Sequence, residues 1–185
     1  TGTLYTKAEL EAISAMCKKY KLPLFLDGAR LGYALADDGC DLTLPDIARL
    51  CDVFYIGGTK QGALFGEAVV IPDPNFIDSF RSLIKQRGGL LAKGRLLGIQ
   101  FDVLFTDDLY FKLSQHAIDL AKKIKKGFED KGYDFMCESA TNQQFPILSY
   151  EQIERLKGEF SFDDYGPADE NHRYVRFCTS WATTE

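Results

Sequence analysis

Two apolar runs, each closed by a charged residue, constrain this chain more than any other feature. The first is Leu22-Pro-Leu-Phe-Leu-Asp27, followed by Gly28-Ala29-Arg30. The second is Val53-Phe-Tyr-Ile-Gly-Gly-Thr-Lys60. Both have the length and the unbroken hydrophobicity of short strands buried on both faces, as in a parallel sheet. An acid at the carboxyl end of one strand and a lysine just past another place opposite charges at one sheet edge. That edge is where open α/β sheets bind ligands.

The elements around the runs fit an α/β fold. Thr6 and Glu9 form a capping box that opens a helix to about Tyr20, with Leu10, Ile13, Met16 and Cys17 as its apolar stripe. Leu44-Pro45-Asp46 starts a short helix to Leu50. Glu67 to Ile71 reads as a third strand, and residues 75 to 86 as a helix with Phe76, Phe80, Leu83 and Ile84 inward. Residues 90 to 105 read as another helix. Thr106-Asp107-Asp108 is expected to cap a long helix to about Lys131, striped by Leu109, Leu113, Ala117, Leu120, Ala121, Ile124 and Phe128 and closed by Gly132. Short strands are expected at 133–136, 145–148 and 174–178, with a helix at about 150–157. The change of pattern sets a boundary near Thr106. Residues 1–106 form a three-layer α/β part, and residues 107–185 a small α+β domain.

Composition excludes several classes. With 185 residues, 45% apolar and 26% charged, the chain can bury a real core. A net charge of −5 argues against nucleic-acid binding driven by phosphate neutralisation. No apolar run can span a bilayer, so no membrane partner is expected. The five cysteines form no CxxC and read as reduced thiols of a cytoplasmic protein. Nothing in the sequence suggests a metal site. The chain opens without an initiator Met, which reads as a fragment or a processed chain.

The chemistry of the two charged residues points to pyridoxal 5'-phosphate. A carboxylate beside the cofactor's ring nitrogen keeps that nitrogen protonated, a charge-assisted contact worth roughly 1.5–3 kcal/mol. A lysine on a tight Gly-Gly-Thr turn suits covalent attachment of the cofactor. An amino-acid substrate also carries a carboxylate, which a planar guanidinium grips with parallel hydrogen bonds. Arg30 and Arg176 are the candidates; Arg176 shares a strand face with Tyr174 and Cys178, opposite Val175 and Phe177. Plainer roles stand beside these. Asp27 also suits a helix N-cap, Lys60 a surface charge, and Arg176 an ion pair with Glu170 or Asp169.

The segment Asp27-Gly-Ala-Arg30, the run ending at Lys60 and Gly66-Glu-Ala-Val-Val70 together resemble the threonine aldolase and β-eliminating lyase family of fold-type I pyridoxal enzymes. Gly2-Thr-Leu-Tyr-Thr6, Lys93-Gly-Arg-Leu-Leu-Gly98, Thr141-Asn142 and Val175-Arg-Phe-Cys-Thr-Ser-Trp181 extend the resemblance in the family's order. It implies the C-terminal part of the cofactor-binding large domain followed by a small C-terminal domain. It further implies that Lys60 carries the cofactor, Asp27 meets the pyridine nitrogen and Ala29 packs on the ring. Arg30 and Arg176 would hold the substrate carboxylate. The implied reaction is retro-aldol cleavage of a β-hydroxy-α-amino acid such as threonine to glycine and an aldehyde, by a homodimer or homotetramer. The family's phosphate-binding loop and its base, a ring-stacking histidine or a water near one, precede the stretch matched here. This stretch alone is therefore expected to bind cofactor weakly or not at all, and to expose a sheet face that more chain would cover. The alternatives are a β-eliminating lyase, or a non-catalytic fragment that serves assembly.

Overall fold

In a computed structural model of the protein, residues 2–185 are described; Thr1 lies outside them. The first part is a three-stranded sheet with helices packed on one face. Helix α1 spans Lys7–Lys19, and Thr6 and Glu9 make the expected reciprocal capping box. Strand β1 is Phe25–Leu26, short of the six residues read as a strand. Helices α2 (Leu31–Ala36) and α3 (Leu44–Leu50) lead to strand β2, Val53–Ile56. Strand β3 is Ala68–Val70. The order is β1-β2-β3, with β1 parallel and β3 antiparallel to β2.

The expectation of strands buried on both faces fails. Phe54 and Ile56 enter the core with Leu10, Leu31, Ile47 and Leu50. Phe25 and Val69, on the other face, are 58% and 52% exposed. The runs are apolar on both faces, yet the described residues cover only one of them. Helix α1 also turns differently from its expected stripe. Leu10 and Ser14 are buried while Ile13 and Met16 are exposed, because Ser14 Oγ donates to Leu50 O at 2.7 Å and pins that face to α3.

The middle of the chain is looser than its pattern suggests. Helix α4 covers only Phe80–Gln86 and buries no residue; Phe76 and Leu83 are exposed. Helix α5 (Arg95–Phe105) buries Leu104. The Thr106–Asp108 segment is a 3-10 turn, not a side-chain cap. Asp107 and Asp108 stand at φ 52° and 58°, and Thr106 Oγ1 donates back to Asp102 O at 2.7 Å.

Helix α6, Leu109–Glu129, then runs across the first part. Its buried face includes Tyr110, Ser114 and Ile118, none of them in the expected stripe, beside Ala117, Leu120 and Ala121. Gly32 lets it approach α2. A Cβ there would stand 2.5 Å from Ser114 Oγ and 2.7 Å from the Tyr110 ring. Gly132, at φ +77°, ends the helix as expected.

The second part is a small antiparallel sheet. Strands β4 (Gln143–Gln144), β5 (Ile147–Ser149) and β6 (Asp163–Pro167) all pair with β7, His172–Cys178. Helix α7 is Tyr150–Leu156. Strand β6 was not expected from its acidic, glycine- and proline-bearing sequence. The expected strand at 133–136 reduces to a single bridge, Phe135 to Pro146. Leu148, Ile153 and Val175 form its core, with Phe128 of α6 and Phe177 packed on it.

Candidate active site

The carboxyl ends of β1 and β2 build the site. Leu26 pairs with Phe54, so Asp27 and Tyr55 stand side by side just beyond. Two glycines allow the chains to touch there. A Cβ on Gly28 would lie 1.6 Å from Tyr55 O, and one on Gly57 would lie 2.4 Å from Ala29 O. Gly57 N donates to Gly28 O at 2.9 Å and locks the two ends together.

Asp27 is not a helix N-cap; that position of α2 belongs to Arg30. Asp27 Oδ1 accepts from the Tyr55 hydroxyl and, at 3.1 Å, from the Ala29 N–H. The Tyr55 bond is the main reason its carboxyl is held below the usual range. The Ala29 N–H and the charges of Lys60 and Arg30 add to the effect. The same contact pushes the Tyr55 hydroxyl up to about 12.

Lys60 is half-buried on the turn after β2, less exposed than a plain surface charge. Its main chain is gripped from two sides. The Tyr33 hydroxyl donates to Lys60 O. The Glu67 carboxylate accepts from Gly58 N, and from Thr59 Oγ1 at 3.1 Å. Tyr110 of α6 donates to Gly57 O at 2.8 Å. Tyr33 is almost fully buried, which pushes its hydroxyl up to about 12 and keeps it a donor.

Asp27, Ala29, Arg30 and Tyr33 line a cleft of about 570 Å³, together with Thr141 and Gln143 of the second part. Arg30 Nε is buried with no hydrogen-bond partner among the described residues. Arg176 stands behind the cleft wall. Its Nε and Nη2 donate to Asp163 Oδ2 at 3.0 and 2.6 Å, and its Nη1 donates to Gln143 Oε1 at 3.2 Å. Tyr165 lies under its guanidinium at 5.5 Å. The expected pairing with Glu170 or Asp169 is therefore replaced by one with Asp163, because β6 sets Asp163 opposite Arg176. Asp169 instead binds His172, at 2.9 Å.

The structure thus gathers Asp27, Ala29, Arg30 and Lys60 at one sheet edge, with Arg176 one residue removed. It adds Tyr55, Tyr33, Glu67 and Gln143, which sequence reading passed over. Tyr55 carried a signal: a polar-tipped side chain inside an apolar run, in register with Asp27. Gln143 carried none, since only the pairing of β4 with β7 brings it to Arg176. The donor set suits a pyridoxal cofactor. It comprises a carboxylate for a ring nitrogen, a lysine on a rigid turn, and an unpartnered buried guanidinium nitrogen for an anion.

The chain also matches known proteins. Residues 1–150 match the family model described as beta-eliminating lyase. The chain belongs to that family. It is 33% identical over 98% of its length to the low specificity L-threonine aldolase of Pseudomonas aeruginosa, covering 52% of that protein. It is 32% identical to the enzyme of the same description from Pseudomonas sp. strain NCIMB 10558, over its whole length and 53% of the relative. Among solved structures, a Leishmania major threonine aldolase superposes with a TM-score of 0.95 at 51% identity, over 99% of this chain and 54% of that one. The chain spans about half the length of these relatives.

Proposed function

We propose that this chain carries the lysine-bearing part of a pyridoxal 5'-phosphate-dependent lyase of the threonine aldolase type. It would cleave a β-hydroxy-α-amino acid to glycine and an aldehyde. The observation that carries this reading is the placement of Asp27, Arg30 and Lys60 at the joined ends of parallel β1 and β2, in a chain similar to threonine aldolases over almost all its length.

In this reading Lys60 holds the cofactor covalently, Ala29 lies against its ring and Asp27 faces its ring nitrogen. Both donors to Asp27 meet Oδ1, which leaves Oδ2 for the ring. When bound, the cofactor supplies the electron sink for cleavage of the Cα–Cβ bond. Arg30 fixes the substrate carboxylate at the cleft wall, with the charge of Arg176 behind it, which orients the bond to be broken. Tyr33, Tyr110 and Glu67 hold the Lys60 turn rigid. We further propose a division at residue 106 into a large-domain part and a small domain, assembly as a homo-oligomer, and a cytoplasmic location. No helix among the described residues is long and apolar enough to cross a membrane.

Borohydride reduction of the full-length protein that carries this chain, after incubation with pyridoxal phosphate and followed by peptide mass mapping, tests the reading. A reduced adduct on Lys60, absent in Lys60→Ala, is expected, with glycine and acetaldehyde formed from L-threonine. Pyruvate from β-substituted amino acids, without threonine cleavage, would replace the aldolase by a β-eliminating lyase. No adduct at Lys60 would leave a non-catalytic module.

A further inference from the structure

We propose that Gln143 is a substrate-binding residue whose side-chain Nε2 donates to the carboxylate of the amino acid held in the cleft beside Asp27 and Arg30. The inference deepens the proposed function and rests on it. Gln143 lies in β4, opposite Cys178 of β7, and shares a face with Arg176. It is 0% exposed, and it lines the cleft with Asp27, Ala29 and Arg30.

The amide's orientation is set by its neighbours. Oε1 accepts from Arg176 Nη1 at 3.2 Å and from the Cys178 thiol at 3.9 Å. Flipping it would turn N–H donors onto a guanidinium that has only donors to offer. Arg176 is itself clamped by Asp163, so the amide has a fixed anvil. Nε2 therefore points away from Arg176, and it has no acceptor among the described residues.

A buried amide donor without an acceptor is destabilising, and folded chains rarely keep one. Arg30 Nε, in the same cleft wall, is in the same condition. Two orphan donors, one of them cationic, with a second guanidinium behind, call for an acceptor-only anion. A carboxylate offers two oxygens and about four lone-pair sites, enough for both. Gln143 thus adds to Arg30 and Arg176 a neutral donor. It strengthens the grip on the carboxylate without adding further positive charge beside the cofactor's cationic ring.

Calorimetric titration of the full-length, cofactor-treated protein that carries this chain with glycine tests this, with ethylamine as the amine that lacks a carboxylate. Gln143→Leu is expected to weaken glycine binding about 10-fold or more. It should leave ethylamine binding, the melting temperature and the Lys60 adduct unchanged. Gln143→Glu keeps the acceptor for Arg176 but swaps the donor for an anion. It is expected to weaken glycine further, whereas a residue that merely orients Arg176 would be rescued by it. The loss from Gln143→Leu should persist in an Arg176→Met background. Unchanged glycine affinity, equal loss for ethylamine, rescue by Glu, or no additional loss in that background would each overturn the proposal. Absence of a Lys60 adduct in the wild-type full-length protein would instead overturn the proposed function. Gln143-dependent glycine binding would then still support the donor role, and its absence would refute it.

Discussion

The contact between Asp27 and Tyr55 sets how the carboxylate behaves. With the Tyr55 hydroxyl and the Ala29 N–H both on Oδ1, the carboxylate is held ionised and fixed in rotation. A fixed anion loses less freedom when it meets a protonated ring nitrogen. Tyr55→Phe removes the largest cause of the lowered Asp27 pKa. The Asp27 carboxyl is then expected to titrate at a higher pH, read by carbon-13 NMR of the labelled side chain. Pyridoxal phosphate binding is expected to weaken several-fold, on the order of one charge-assisted hydrogen bond. An unmoved Asp27 titration would mean that the hydroxyl does not govern this carboxylate.

At the scale of elements, α1 and α3 are joined by polar contacts as well as by Leu10 and Ile47. Lys7 Nζ lies 2.7 Å from Asp46 Oδ1, and Arg49 reaches both Asp46 and Glu11. Asp46 also closes the capping box with Thr43. The Lys7 ammonium first, and then the Thr43 hydroxyl, hold the Asp46 carboxyl well below the usual carboxylate range. A carboxyl with a lower pKa folded than unfolded binds fewer protons folded. Its stabilisation is present above the unfolded value, about pH 4, and is lost as pH falls toward the folded one. Melting temperature is expected to drop between about pH 5 and pH 2.5, and Asp46→Asn should flatten part of that drop. An equally steep drop in the variant would assign acid sensitivity to other groups.

For the molecule as a whole, the two parts are held together by α6. Its Tyr110 reaches Gly57 beneath the Lys60 turn, while Ala117 O accepts from Thr179 Oγ1 just past β7 at 2.6 Å. One rigid helix therefore sets the sheet edge against the Arg176 strand. Helix α4, with no buried residue, lies at the other extreme. Amide hydrogen exchange is expected to be fastest in α4 and its flanking loops and slowest along α6 and β7. Comparable protection in α4 and α6 would contradict this order. The uncovered face of β1, β2 and β3, with Phe25 and Val69 outward, matches the sequence-based expectation of an exposed sheet face.

The linear chain made much of this legible, and the reasons are local. Capping at Thr6, the closing of α6 at Gly132 and the parallel pairing of the two apolar runs depend on residues close in sequence or on hydrophobic pattern. So did the gathering of Asp27, Arg30 and Lys60, because each ends or follows a strand of one sheet edge. What remained depended on partners distant in sequence. Which face of α1 turns inward was decided by Ser14 and Leu50, and the partner of Arg176 by the placement of β6. Tyr110, Glu67 and Gln143 acquire their roles only when separate elements meet. A hydrogen bond across 53 residues, as from Tyr110 to Gly57, leaves no periodicity in the chain to read.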